Sequence, residues 1–324
     1  MTKIRVGVVG VGYLGNFHAE KYAGLAEAEL VGVADIDASR AEAVASAHGS
    51  RAFKDYRELI GRVDAASIAV TTPQHYEIAR AFLENGIDVL VEKPITETLD
   101  QADALIAIAE EKGCVLQVGH LERFNPAVHA VKGIIEKPMF IESNRLSLYQ
   151  PRGTDVSVVL DLMIHDIDII LTFVKSKIAY SHAMGAPVVS RHVDIANAHL
   201  EFENGAVANV TASRISSKTE RKIRLFQKAG YFSVDFANRS IMHIHPAKAE
   251  DADGEEGHSP VPGMQIEEHK FDPGDALRDE IRSFLNVVAT RGTPEVSGQM
   301  GREALQMALD ITRQIRESSR WFTE

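Results

Sequence analysis

The sequence predicts an α/β N-terminal domain on a parallel sheet. An α+β domain on an open, mainly antiparallel sheet is expected to follow. Three observations carry this. Strand-like and helix-like runs alternate through the first 120 residues. From residue 178 to residue 271, strand follows strand. And 324 residues, at about 150 per domain, make room for two domains. The division is expected at 1–121 and 122–324.

Residues 4–9 are short, apolar and Val-rich, as a strand covered on both faces must be. A glycine turn leads into a helix over 14–25. A second strand over 30–34 ends at Asp35, and a helix over 38–48 closes at Gly49. Residues 65–70 form a third buried strand, and 75–85 a helix ended by Gly86. Residues 89–91 are another strand. Thr98 with Gln101 makes a capping box for a helix over 99–112, which stops at Gly113. Residues 115–118 complete the set. Alternation of this kind places parallel strands under helices on both faces.

Beyond Gly119 the texture changes. Asn125-Pro126 offers an N-cap and a proline at the first helical position, so a helix is expected to about residue 136. Residues 140–148 read as a strand and 156–174 as one long helix. Asn204-Gly205, between apolar runs at 198–202 and 206–212, marks a hairpin. Strands are expected at 223–226, 231–236 and 241–245. Residues 247–263 are acidic, with two glycines before a final one and two prolines, and are expected to form an exposed loop. Helices at 276–289 and 302–318 end the chain.

Charge and composition exclude several classes. Lys plus Arg is 35 and Asp plus Glu is 46, a net −11, opposite in sign to a chain built to neutralise nucleic-acid phosphates. A bilayer span needs roughly 18 uninterrupted apolar residues. The longest apolar stretch, 156–174, is broken by Asp161, His165, Asp166 and Asp168. Residues 3–9 are too short for the apolar core of a signal peptide. One cysteine, Cys114, leaves no intramolecular disulfide and no CxxC metal pair. No membrane partner is expected, and a cytoplasmic location is.

Gly10-Val11-Gly12-Tyr13-Leu14-Gly15 stands directly after a strand and opens a helix. Gly10 permits the tight turn, Gly12 the approach of a pyrophosphate, and Gly15 close helix–sheet packing. The helix N-terminus then offers free N–H groups to phosphate. Asp35 follows at the end of the second strand, where a carboxylate accepts from a ribose hydroxyl and repels a 2′-phosphate. NAD is therefore expected over NADP. Arg40 is the residue that opposes this, since it can turn toward a 2′-phosphate. Thr71, Thr72 and His75 follow the third buried strand, in a loop that either lines the nicotinamide ribose or caps the next helix. Glu92-Lys93-Pro94 ends another buried strand. A lysine leaving an apolar strand is partly desolvated, which lowers its pKa and suits proton relay. The plainer reading is a surface lysine paired with Glu92.

Asp161, His165 and Asp168 fall at i, i+4 and i+7, one stripe of an otherwise apolar helix. Such groups need a solvated cleft or partners. Neutral His165 can take an alcohol proton near neutral pH. Asp161 can bind a substrate hydroxyl or orient the ring. A satisfied core histidine is the alternative. No third ligand at metal spacing stands out, so no metal is expected. His243 and His245 alternate on a strand and are read as packing or surface residues.

Taken in order, the glycine motif, Asp35, Glu92-Lys93-Pro94, and Asp161 with His165 resemble the glucose–fructose oxidoreductase, inositol dehydrogenase and MocA family. The resemblance implies a Rossmann domain, an open-sheet domain for substrate and oligomerisation, and redox chemistry at a sugar carbinol with NAD or NADP. It implies Lys93 and His165 as the catalytic pair and Asp161 as a substrate or orienting residue. Thr71 stands where the family often has proline. Gly119-His120 through Pro126, Asp155-Val156 and the Asp161–Asp168 run are similar to dehydrogenases that act at the 3-hydroxyl of UDP-N-acetylglucosamine. Those enzymes feed an aminotransferase partner on the way to lipid A. A diphosphate needs cations, and Arg123, Arg145 and Arg152 are the candidates. The alternatives are a family member acting on a free sugar, an inositol or an imine, and a non-catalytic NAD-binding regulator. The open sheet face predicts a homodimer or homotetramer.

Overall fold

The computed structural model describes residues 3–150, 156–228, 230–247, 262–272 and 274–318. The chain forms two compact units, Met1–Phe124 with Asp275–Leu305, and Asn125–Gly274 with Gln306–Glu324.

The first unit is a parallel α/β sheet. Its elements are β1 (Ile4–Val9), α1 (Tyr13–Gly24), β2 (Ala28–Ala34), α2 (Ala38–Ala47), β3 (Arg51–Phe53), β4 (Ala65–Ile68), α3 (His75–Glu84), β5 (Asp88–Glu92), α4 (Leu99–Lys112) and β6 (Leu116–Gly119). The strand order is β3-β2-β1-β4-β5-β6, with every pair parallel. The chain reverses direction across the sheet between β1 and β4, and a crevice at the carboxyl ends of strands at such a point is where ligands bind. Thr98 and Gln101 form the capping box of α4, and Gly113 ends the helix at φ +65°. β3 was not foreseen. It is an edge strand of three residues with two exposed.

The second unit begins with α5 (Pro126–Val131) and β7 (Phe140–Leu146). α5 stops well short of residue 136, because the chain turns extended at Lys132 and Gly133 has φ +92°. The segment expected as one long helix holds a π-helical turn, Val159–Met163, before α6 (Ile164–Val174). Seven strands follow: β8 (Ile178–Ala186), β9 (Ile195–Phe202), β10 (Val207–Ser213), β11 (Glu220–Gln227), β12 (Gly230–Asp235), β13 (Ser240–Pro246) and β14 (Met264–Lys270). Gly205 makes the expected hairpin turn at φ +86°. The sheet order is β14-β13-β12-β11-β7-β10-β9-β8. All neighbours are antiparallel except β7 and β10, which run parallel. One face buries Ile141, Leu200, Val210, Ile223 and Val234 and packs on α6. The other carries exposed Phe140, Tyr180, Met184 and Ile195. Most of the acidic stretch expected as a loop, 248–261, lies outside the described residues.

Two helices end the chain, α7 (Ala276–Thr290) and α8 (Gly298–Ser318). Both were assigned by sequence to the second domain. Instead α7 and the start of α8 belong to the first unit. The stripe Leu277, Ile281, Phe284, Leu285 and Val288 explains α7, since it completes the core formed by Val6, Val8, Val33 and Leu90.

Candidate active site

The glycine loop at the end of β1 is shaped by contacts that a side chain would destroy. Gly10 has φ +80°, and a Cβ there would meet Val70 at 2.6 Å. A Cβ on Gly15 would lie 1.8 Å from the Gly10 carbonyl oxygen, so this residue lets α1 sit against the loop. Gly12 is different, with nothing within 4 Å of its added Cβ. It is the N-cap of α1, and no side chain caps that end. The first-turn backbone at Tyr13 and Leu14 is thus served by no capping side chain, as an incoming phosphate requires.

Asp35 closes the other side of this loop. Its carboxylate is 7% exposed and accepts from the Val11 N–H and the Asp37 N–H, both at 2.9 Å. Arg40 Nη1 stands 3.4 Å from both carboxylate oxygens, and Nη2 stands 3.4 Å from Asp37. The acid therefore ties the end of β2 to the glycine turn, with the guanidinium drawn against it. An open approach at Gly12, an uncapped helix start and this carboxylate together fit an NAD-type dinucleotide.

His75 does not line this crevice. It is buried, with Nδ1 2.8 Å from the Pro94 oxygen and Nε2 3.1 Å from the Val70 oxygen. Burial pushes its pKa down. Nor does His75 cap the next helix, whose N-cap is Gln74 with no side-chain cap; instead it braces the turn after β4 to the turn after β5. In that loop Thr71 is exposed and Thr72 half-buried.

At the end of β5, Glu92 and Pro94 are buried and Lys93 between them is half-buried. The Lys93–Pro94 peptide is cis. Glu92 Oε1 lies 3.1 Å from His18 Nε2, and Oε2 accepts from the Lys93 backbone N–H at 3.3 Å. His18 was not singled out by sequence, and neither was Glu280. That acid is on the apolar stripe of α7, wholly buried, and neither carboxyl oxygen has a hydrogen-bond partner among the described residues. Burial first, and the charge of Glu92 second, push its pKa well above the usual carboxylate range. Gln117 Nε2 donates to its backbone oxygen at 3.4 Å.

In the second unit, Asp161 lies within the π turn and His165 in the first turn of α6, both half-buried. The uniform i, i+4, i+7 stripe expected from the sequence is interrupted there, because a π turn changes the residues per turn. Asp168 is buried. Two of the three arginines expected to meet a diphosphate are placed otherwise. Arg145 is 3% exposed, and its Nε is 2.7 Å from Asp166 Oδ2. Arg123, in the first unit, is buried with Nη2 4.0 Å from Met300 Sδ. Arg152 lies outside the described residues.

Two family models match. One, described as "Oxidoreductase family, NAD-binding Rossmann fold", covers residues 4–120, and the other, a GFO/IDH/MocA C-terminal domain, covers residues 128–233. The chain is 38% identical to UDP-N-acetylglucosamine 3-dehydrogenase of Acidithiobacillus ferrooxidans, over 96% of this chain and 97% of that one. A solved structure of that enzyme superposes with a TM-score of 0.92 at 36% identity, covering 98% of this chain and 99% of the other. An inositol 2-dehydrogenase of Rubrobacter xylanophilus is 36% identical, over 56% of each chain.

Proposed function

The chain belongs to the Gfo/Idh/MocA oxidoreductase family, and on that premise we propose that it oxidises the 3-hydroxyl of UDP-N-acetylglucosamine with NAD. The observation that carries the substrate is the reach of the likeness. The nucleotide-sugar enzyme matches through both units at 38% identity, whereas the inositol enzyme at similar identity matches only about half of the chain, and inositol dehydrogenases that match nearly all of it do so at 24–25% identity. Substrate choice in this reading resides in the second unit, so the match that includes it has the greater weight.

The cofactor choice rests on Asp35. A nearly buried carboxylate at the end of β2, with Arg40 held against it, disfavours a 2′-phosphate and suits a ribose diol. When bound, NAD supplies the hydride acceptor. His165 takes the hydroxyl proton, Lys93 stabilises the oxygen as charge develops, and Asp161 holds the sugar or the imidazole in place. Arg145 has no part in binding the diphosphate in this scheme, since its guanidinium is committed to Asp166. The ketone product is suited to an aminotransferase acting next. The exposed Phe140, Tyr180, Met184 and Ile195 face of the second sheet is the surface through which we infer self-association.

The test joins two measurements. Mass spectrometry of ligands released from the purified protein should find NAD, and NADH should form on UDP-N-acetylglucosamine. Turnover of a free polyol without turnover of the nucleotide sugar overturns the substrate. Bound NAD without turnover of any sugar points to a regulator. A solution mass of one chain overturns self-association.

A further inference from the structure

At the far end of the second sheet, β13 and β14 are antiparallel neighbours with His243 directly opposite Glu267. Side chains alternate across a strand, so His243, His245 and Glu267 project from one face. That face also carries Phe232 and Val234 of β12, both buried. One ligand atom from each of His243, His245 and Glu267 lies within 4.8 Å of the other two. His245 Nε2 is 3.1 Å from Glu267 Oε1. A tetrahedral ion with bonds near 2.0–2.1 Å holds its ligand atoms roughly 3.3 Å apart. The triad is therefore already assembled to within about 1.5 Å, a distance side-chain rotation covers.

Two features set the cluster apart from an ordinary cross-strand hydrogen bond. The His243 ring stacks on Phe232 at 4.0 Å between centroids and 8° between planes, which fixes the plane of the imidazole before any ligand arrives. And the second oxygen of Glu267 stands 3.6 Å from His269 Nε2. An outer partner of that kind orients a ligating carboxylate. The imidazoles of His243 and His245 lie 4.7 Å apart.

We propose that His243, His245 and Glu267 bind one zinc ion, with water as the fourth ligand. Two imidazoles and one carboxylate without a thiolate suit zinc and its first-row neighbours, and are a poor match for magnesium or calcium, which prefer all-oxygen sites. Bound there, the ion bridges β13 to β14. The site shares no residue with the dehydrogenase reading and stands independently of it.

The full chain, stripped with chelator and loaded with zinc sulfate, should retain one zinc per chain after desalting, measured by plasma mass spectrometry. X-ray absorption should show only nitrogen and oxygen neighbours. The H243A/H245A protein should bind at least tenfold more weakly in competition with a chromophoric chelator. E267Q, which keeps the strand's shape, should weaken binding in the same direction, and so serves if the double variant misfolds. H165N should keep its zinc. Zinc should raise the melting temperature of the wild type and leave that of E267Q nearly unchanged. Retention no greater than in the double variant, a sulfur neighbour, or zinc lost with His165 would each overturn the site.

Discussion

Arg145 and Asp166 form a buried, two-pronged ion pair: Nε meets Oδ2 at 2.7 Å and Nη2 meets Oδ1 at 3.3 Å, with side chains 3% and 0% exposed. Ser143 donates a third hydrogen bond to Asp166 Oδ1 at 2.9 Å. The pair bolts α6 to β7. Removing one partner strands the other charge in a water-poor site, at a cost of about 3–5 kcal/mol. R145M and D166L should each lower stability by that order in urea unfolding. The double variant R145M/D166L should lose much less, because no charge is left unpaired. Losses below about 1 kcal/mol in both single variants would show that the pair is solvated after all.

Asp35 makes a second expectation concrete. Its carboxylate is the acceptor for Val11 N–H in the glycine loop and is the group we propose to meet a ribose. D35A should lower kcat/KM with NAD at least tenfold, about 1.4 kcal/mol. It should lower kcat/KM with NADP less, so that the preference narrows or reverses. Arg40, released from Asp35, is the cation that would then face a 2′-phosphate. D35A/R40A should therefore lose the NADP gain. An unchanged NAD-to-NADP ratio in D35A removes Asp35 from the specificity argument.

Much of the fold was legible because its signals are local. The capping box at Thr98 and Gln101, the stop at Gly113 and the turn at Gly205 all depend on residues within one turn of each other. The fold class and the open antiparallel sheet followed from such signals. What escaped was settled by distant contacts. The parallel pairing of β7 with β10 joins strands far apart in the chain. Arg145 sits in an alternating strand, so its residue type suggested a ligand for phosphate, while its face assigned it to Asp166. The π turn at Val159–Met163 has no sequence mark, and it shifts Asp161 relative to His165. Glu280 could have been found, because it is an acid on the stripe made by Leu277, Ile281, Phe284 and Val288.

If Lys93 and His165 have the roles proposed, their loss should separate chemistry from binding. K93M should lower kcat by about 10²–10³-fold, the range for a lost charge stabiliser, and H165N by about 10²–10⁴-fold, the range for a lost proton-transfer group. NAD binding measured by calorimetry should change far less in H165N. The H165N rate should also lose the limb of the pH profile that reports the ionising base. Full activity in H165N would return that histidine to the packing role the sequence also allowed.

Glu280 connects burial to pH. Its carboxyl is held in the neutral form by burial and by the charge of Glu92. A group whose folded pKa is raised binds its proton more tightly folded than unfolded. Its contribution is therefore fully present below the unfolded value, about 4.3, and is lost as pH rises through the folded value. The wild type should thus lose stability from this site on going from pH 5 toward pH 9. E280Q, which keeps the shape and cannot ionise, should not. The two proteins should melt at similar temperatures at pH 5, and E280Q should melt progressively higher as pH rises. Because Glu92 supplies part of the shift, adding E92Q should reduce the difference that E280Q makes. Parallel melting curves across that range would mean that Glu280 ionises freely in the folded chain, through solvent that reaches the core beside His18 and Gln117.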